Sequence, residues 1–170
     1  MAKLSIYVLL LSLFLFGISL LLPLTQSKTK IIKVRLYLQD TFNTSQPIAY
    51  GDVFAFQDPL TVGPDPKSKL LGQAQGTIAF SNREASYDLH VSIAYIFTSG
   101  KYNGSTVVVV GRNNVPGSDR EFAIVGGTGA FKLARGIVTG STYSTEPSIF
   151  IYDLEIYQDV KPKIELDYFF

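Results

Sequence analysis

Polar and apolar residues alternate along most of the chain after Lys30. Over Ile31–Asp40, Ile32, Val34, Leu36 and Leu38 fall on one phase. That period of two marks a strand with one buried face. The same reading predicts strands over 49–57, 70–80, 85–99, 105–113, 120–126, 130–144 and 148–158. In the stretch 85–99, Tyr87, Leu89, Val91, Ile93, Tyr95 and Phe97 share a phase. Turn formers separate the runs: Asp58-Pro59 opening a loop over 58–69, "SNRE" at 81–84, "GKYNG" at 100–104 and "NVPGSD" at 114–119. No stretch of about ten residues or more shows a helical period, and 159–170 takes no assignment.

Eight strands joined by hairpins predict an all-β fold, an eight-stranded antiparallel up-and-down barrel, with a two-sheet sandwich as the alternative. A barrel of that size holds packed side chains or one small ligand. Val107–Val110 and the "IFIY" run 149–152 are apolar on both phases. One phase fills the barrel and the other needs cover, which predicts a homo-oligomer.

The stretch "AIVGGTGAFKLARG" (123–136) superficially resembles a phosphate-cradling loop. It lacks the Lys-Ser/Thr pair of a P-loop, and Lys132 stands where a dinucleotide fingerprint needs its last glycine. The segment 131–143 is rich in Gly, Thr and Ser and makes poor helix. The reading is therefore a turn at Gly126–Gly129, with Gly136 and Gly140 inside the next strand to let the sheet bend or another group approach.

Composition changes the picture at the N-terminus. Lys3 is the only charge in residues 1–27, and an apolar run spans Leu4–Leu24. This predicts a secretory signal peptide over 1–27, with an uncleaved anchor as the rival, and a barrel domain over 28–170. After cleavage no stable membrane span remains. Asn43-Thr44-Ser45 and Asn103-Gly104-Ser105 are acceptor triplets for N-glycans, although Asn-Gly also favours a hairpin turn. Cysteine is absent, which excludes disulfides and thiol chemistry. The 15 Lys and Arg against 14 Asp and Glu form no basic stripe, so nucleic acid is not an expected partner. No His/Asp/Glu spacing suggests a metal, and no cofactor is expected.

Asp40 ends the first strand on its apolar phase. An acid there is either functional or a turn residue leaving the core. On spacing alone Arg120 reads as an exposed loop arginine. His90, the single histidine, shares a phase with Asp88 and Ser92 and has no triad partner.

Four segments carry a family resemblance: "FQDPLTVGP" (56–64), "GQAQG" (72–76), "YNGSTVVVVGRN" (102–113) and "REFAIVGGTGAFKLARG" (120–136). Over Lys33–Tyr157 the chain resembles the plant dirigent proteins, whose fold is related to that of allene oxide cyclase. The resemblance implies a trimeric barrel secreted to the apoplast. It also implies stereoselective coupling of phenoxy radicals, such as those of coniferyl alcohol, with a separate laccase or peroxidase as radical source and no intrinsic oxidase activity. Some relatives instead dehydrate or cyclise isoflavonoid-like phenolics, and a wall protein binding phenolics or carbohydrate without turnover is a third class. By the same resemblance Asp40 is the pocket acid and Arg120 a pocket cation. Asn113 stands where lignan-forming relatives carry a second aspartate, and Ile78 where some carry a tyrosine. Thr139 and Thr142 are candidate pocket hydroxyls.

Overall fold

The computed structural model describes Tyr7, Ser12 and residues 28–42, 47–84, 88–115 and 120–160. Nearly all of the predicted signal segment, and Asn43 with its acceptor triplet, lie outside the described residues. Thr29–Val160 form one compact unit. Its strands are β1 (Lys28–Gln39), β2 (Val53–Thr61), β3 (Leu70–Phe80), β4 (Asp88–Phe97), β5 (Thr106–Asn114), β6 (Arg120–Thr128), β7 (Arg135–Thr145) and β8 (Ser148–Val160). They close into an eight-stranded barrel in sequence order, with antiparallel pairing from β1 through β8. The barrel expectation holds and the sandwich does not.

The alternation read from the sequence is the inside–outside alternation of the barrel. Ile32, Leu36 and Leu38 of β1, Leu89, Val91, Ile93, Tyr95 and Phe97 of β4, and Tyr152, Leu154 and Ile156 of β8 are buried and point inward. The seam between β1 and β8 is held inside by the backbone bond from Asp40 N to the Ser148 carbonyl, 3.0 Å. Outside it carries the ion pairs Lys33–Glu155 (2.8 Å) and Arg35–Asp153 (2.7 Å).

Several boundaries differ from the sequence reading. β2 runs through Asp58-Pro59 to Thr61 instead of stopping before them. Pro59 keeps a pairing position opposite Gln73, beside the end of the β1–β2 ladder, where its missing N–H disrupts least. β6 continues through Gly126–Thr128 past a register shift opposite Val108/Val109, so the glycine run is strand before it is turn. The segment 130–134 is not strand but a one-turn 3₁₀ helix followed by a tight turn.

That segment has a twin. Gly100–Tyr102 and Gly129–Phe131 are both 3₁₀ turns at the same end of the barrel, each opening on a left-handed glycine (φ 69° and 59°). Each leads into a type II turn. In the first, Asn103 (φ −48°, ψ 134°) precedes Gly104 at φ 79°, in place of the two-residue hairpin turn that Asn-Gly favours. In the second, Lys132 (φ −55°, ψ 129°) precedes Leu133 at φ 61°. The glycine cluster therefore serves close packing. A Cβ on Gly127 would lie 2.3 Å from the Thr106 carbonyl oxygen, and one on Gly129 2.6 Å from the Ser105 hydroxyl. The twin turns deliver Tyr102 and Phe131 to Phe97, with Tyr102 and Phe131 centroids 4.7 Å apart, and the three rings plug this end.

Above the plug, Tyr95, Phe122 and Phe150 surround Tyr152 at centroid distances of 5.8, 6.0 and 6.5 Å. Gly140 makes room for this layer, because a Cβ there would come within 2.7 Å of Tyr152 and 3.2 Å of Phe122. Gly140→Ala is expected to displace the Tyr152 ring and destabilise the barrel by about 1–3 kcal/mol. Urea unfolding of the two proteins checks this, and an unchanged midpoint refutes it.

At the opposite end, Arg112 of β5 grips Asp88 of β4 through Nε and Nη2, at 2.6 and 2.5 Å, and Asn82 adds a bond of 2.8 Å. The Arg112 bonds first, then Asn82, lower the Asp88 carboxyl to about 2. A carboxylate depressed on folding contributes stability above its unfolded value and loses it as pH falls through the folded one. The contribution of this clamp therefore disappears between about pH 4 and about pH 2. Arg112→Gln should flatten the acid limb of melting temperature against pH in that window while leaving the profile above about pH 5 parallel to the parent. Superimposable acid limbs would remove the clamp from the account.

Candidate functional site

Between the Tyr152 layer and the open end lies a cavity of about 180 Å3. Its walls are apolar: Leu38, Phe56, Ile78, Leu89, Val91 and Ile93 reach it from β1 to β4, and Phe150 from β8. Four polar side chains share it, namely Asp40, Asp58, Asn113 and Tyr152. A few polar groups in an apolar concavity is the general form of a small-molecule site. A larger groove, about 730 Å3, crosses the outside of the seam. Its Glu155 and Asp153 are already paired with Lys33 and Arg35, so it offers ion pairs rather than an enclosed surface.

Asp40 lies just past β1, half-buried, on the inward phase that the sequence predicts. Its carboxylate is fixed at both oxygens: Oδ1 accepts from the Phe42 N–H (3.0 Å) and Oδ2 from the Ser148 hydroxyl (2.8 Å). The bond closing the barrel and the bond aiming the acid thus come from the same residue, Ser148.

Sequence reasoning missed Asp58, because Asp-Pro reads as a strand stop. It is 2% exposed and points inward from β2. Its Oδ1 accepts from both the Thr41 N–H (2.9 Å) and the Thr41 hydroxyl (2.7 Å). Burial pushes its carboxyl up, the Thr41 bonds oppose that, and the charge of Asp40 adds to it. The signal that could have found it is its phase, shared with Phe54, Phe56 and Leu60 once the strand is allowed to pass through Pro59.

The remaining predicted residues divide. Ile78 and Asn113 line the cavity, and the Asn113 Oδ1 is buried with no partner among the described residues. Arg120 is not an exposed loop residue: it is 3% exposed and stacks over the Phe150 ring at 5.0 Å. It sits behind that wall rather than in it, donating Nη2–H to the Thr142 hydroxyl at 3.1 Å, with Nε unpartnered among the described residues. Thr142 therefore acts on Arg120. Thr139 faces the other way and lines the outer groove, because it lies one residue out of phase with the inward Val138 and Gly140. His90 is exposed on the outer face beside Arg112.

Two tyrosines sit beneath the cavity. Burial raises Tyr152 to about 12 and Tyr95 well above its ordinary value, so both stay neutral phenols near neutral pH. The Tyr95 hydroxyl has no partner among the described residues. The described residues hold no cluster of three or more potential metal ligands. No helix among them is long and apolar enough to cross a membrane.

The arrangement can hold one flat apolar molecule against two carboxyl groups, a neutral phenol and an amide carbonyl. Dirigent protein 1 of Arabidopsis thaliana is 44% identical over 102 residues, covering 59% of this chain and 54% of that protein. Pterocarpan synthase 1 of Glycine max is 46% identical over 100 residues, covering 58% of this chain and 53% of that one. The chain thus spans about half the length of these two relatives. The solved structure of a pterocarpan synthase dirigent protein superposes with a TM-score of 0.72 at 33% identity, over 81% of this chain and 95% of that one. The family described as Dirigent-like protein matches residues 24–158, and the chain belongs to it.

Proposed function

We propose that the cavity binds a single phenolic molecule and promotes loss of a hydroxyl group followed by closure of an oxygen ring, as on an isoflavonoid-like alcohol. The lining of the cavity carries this reading: two carboxyl groups, Asp40 and Asp58, stand in an apolar wall beside the neutral phenol of Tyr152. The acid–base groups support it, since dehydration needs a proton for the departing hydroxyl and an acceptor for the attacking phenol's proton. Asp40, held by Ser148 and Phe42, is the residue placed to exchange protons at the open end. The similarity to proteins named pterocarpan synthases favours the same class of reaction.

A second reading, stereoselective coupling of phenoxy radicals supplied by a laccase or peroxidase, is supported by family membership and by the apolar walls. Two radicals must meet in coupling, and Asn113 replaces the second aspartate of the lignan-forming pattern, so this reading ranks lower. In either case we infer secretion behind the leader 1–27 and action in the extracellular space. Asn103, exposed in its turn, is open to glycosylation, and assembly would cover outer apolar residues such as Val53 (63% exposed) and Val125 (59%).

The purified protein is incubated with a hydroxylated isoflavan and no oxidase, and separately with coniferyl alcohol and a laccase. The ring-closed product is expected from the first and racemic pinoresinol from the second. Asp40→Asn should lower turnover of the first substrate by at least about 100-fold. An enantiomeric excess in the second reaction, with no conversion in the first, overturns the dehydration reading.

A further inference from the structure

We propose that Asp58 is a catalytic carboxylic acid, paired with Asp40 across the β1–β2 seam so that the pair carries one proton between them. The inference rests on the dehydration reading and divides its chemistry between two residues. Leu38 of β1 pairs with Leu60 of β2, and continuing that register two residues sets Asp40 opposite Asp58. Directly opposed side chains have Cβ atoms about 5 Å apart. Two carboxylates so close in a largely apolar cavity cannot both ionise easily, and one retains its proton.

Hydrogen bonding settles where that proton sits. Both oxygens of Asp40 accept from fixed donors, the Phe42 N–H and the Ser148 hydroxyl. In Asp58, Oδ1 accepts twice from Thr41, and Oδ2 has no hydrogen-bond partner among the described residues. A proton on Asp58 therefore resides on Oδ2, the one carboxyl oxygen of the pair without a donor already aimed at it. The other titratable group lining the cavity is Tyr152, which burial keeps protonated. Arg120, a cation behind this wall, is stacked on Phe150 and bonded to Thr142.

The step balances without any further reagent. Asp58 gives its Oδ2 proton to the substrate hydroxyl, the carbon–oxygen bond breaks and water leaves. The phenol oxygen forms the new carbon–oxygen bond and passes its proton to Asp40. Transfer from Asp40 to Asp58 restores the starting state, so the net change is loss of one water. The Thr41 bonds give Asp58 a second task, since they anchor the residue that comes after Asp40.

Asp58→Asn separates the two tasks, because the amide oxygen still accepts from Thr41 while the acid proton is gone. Its kcat on the hydroxylated isoflavan should fall at least about 100-fold with KM changed less than about threefold, and the pH-rate profile should lose its alkaline limb. Thr41→Val, which removes only the hydroxyl bond, should cost far less and keep the profile's shape. A kcat within about threefold of the parent for Asp58→Asn assigns Asp58 to anchoring alone and overturns the proposal. Infrared difference spectra of the substrate-free protein test the pair even if the substrate class is wrong. A protonated-carboxyl band at about pH 6 should vanish in Asp58→Asn and titrate at lower pH in Asp40→Asn, where the neighbouring charge is gone. Absence of that band in the parent, or its persistence in Asp58→Asn, refutes the assignment.

Discussion

Closure of the sheet on itself is the constraint on which everything else depends. An open eight-stranded sheet would expose two edges, whereas here the last strand returns to the first and each backbone ladder is bounded by another. Closure also fixes the interior. Eight strands leave a lumen wide enough for one layer of side chains at a time, so every inward residue competes for the same space. Ser148 joins this constraint to the chemistry: its carbonyl accepts from the Asp40 N–H at 3.0 Å and its hydroxyl donates to the Asp40 carboxylate at 2.8 Å. Strand closure and acid placement are one event.

The lumen is divided by ring size against glycine. Where an aromatic ring crosses, a glycine lies beneath it. Gly140 faces Tyr152, Gly111 faces Phe122, and a Cβ on Gly76 would lie 3.0 Å from Phe56. Phe97, Tyr102 and Phe131 seal the end carrying the twin 3₁₀ turns, and the other end is left underfilled. The cavity is what remains above Tyr152 and Phe150, where Ile78 and Asn113 share the wall with Phe42, Phe56 and Phe80. A tyrosine at Ile78, the residue that the resemblance gives some lignan-forming relatives, would occupy part of that volume, so Ile78 enlarges the site and removes a hydroxyl, while Asn113 in place of aspartate removes only an acid.

Much of the architecture is legible in the sequence because a barrel wall obeys the simplest periodicity available. The β3 segment matches its predicted span, and the inward phases of β1 and β4 follow from alternation alone. The failures are local and have local causes. Asp58-Pro59 carries the composition of a strand stop, yet the fold tolerates proline beside the end of a ladder, and that composition hides Asp58. Thr139 reads as an interior residue because Gly140 gives no side chain by which to fix the phase of β7. Arg120 reads as a loop residue because its place in the stack depends on Phe150, thirty positions away in the chain. No pattern within one strand reports a contact of that range.

Burial has opposite consequences for Asp58 and for Arg120. A guanidinium remains charged wherever it is put, so Arg120 is accommodated by a ring face at 5.0 Å and one hydroxyl at 3.1 Å. A carboxyl group can escape the cost of burial by keeping its proton, and burial is the largest influence raising Asp58. An apolar wall, which repels charge, thereby becomes the means of storing an acid. On the dehydration reading, the same wall would keep water from the cationic centre that loss of the hydroxyl exposes, leaving the substrate's own phenol as the nucleophile at hand. Ring closure rather than hydration would then follow from how the cavity is lined, with Asn113, whose carbonyl oxygen is buried with no partner among the described residues, offering an acceptor that could orient that phenol without taking its proton.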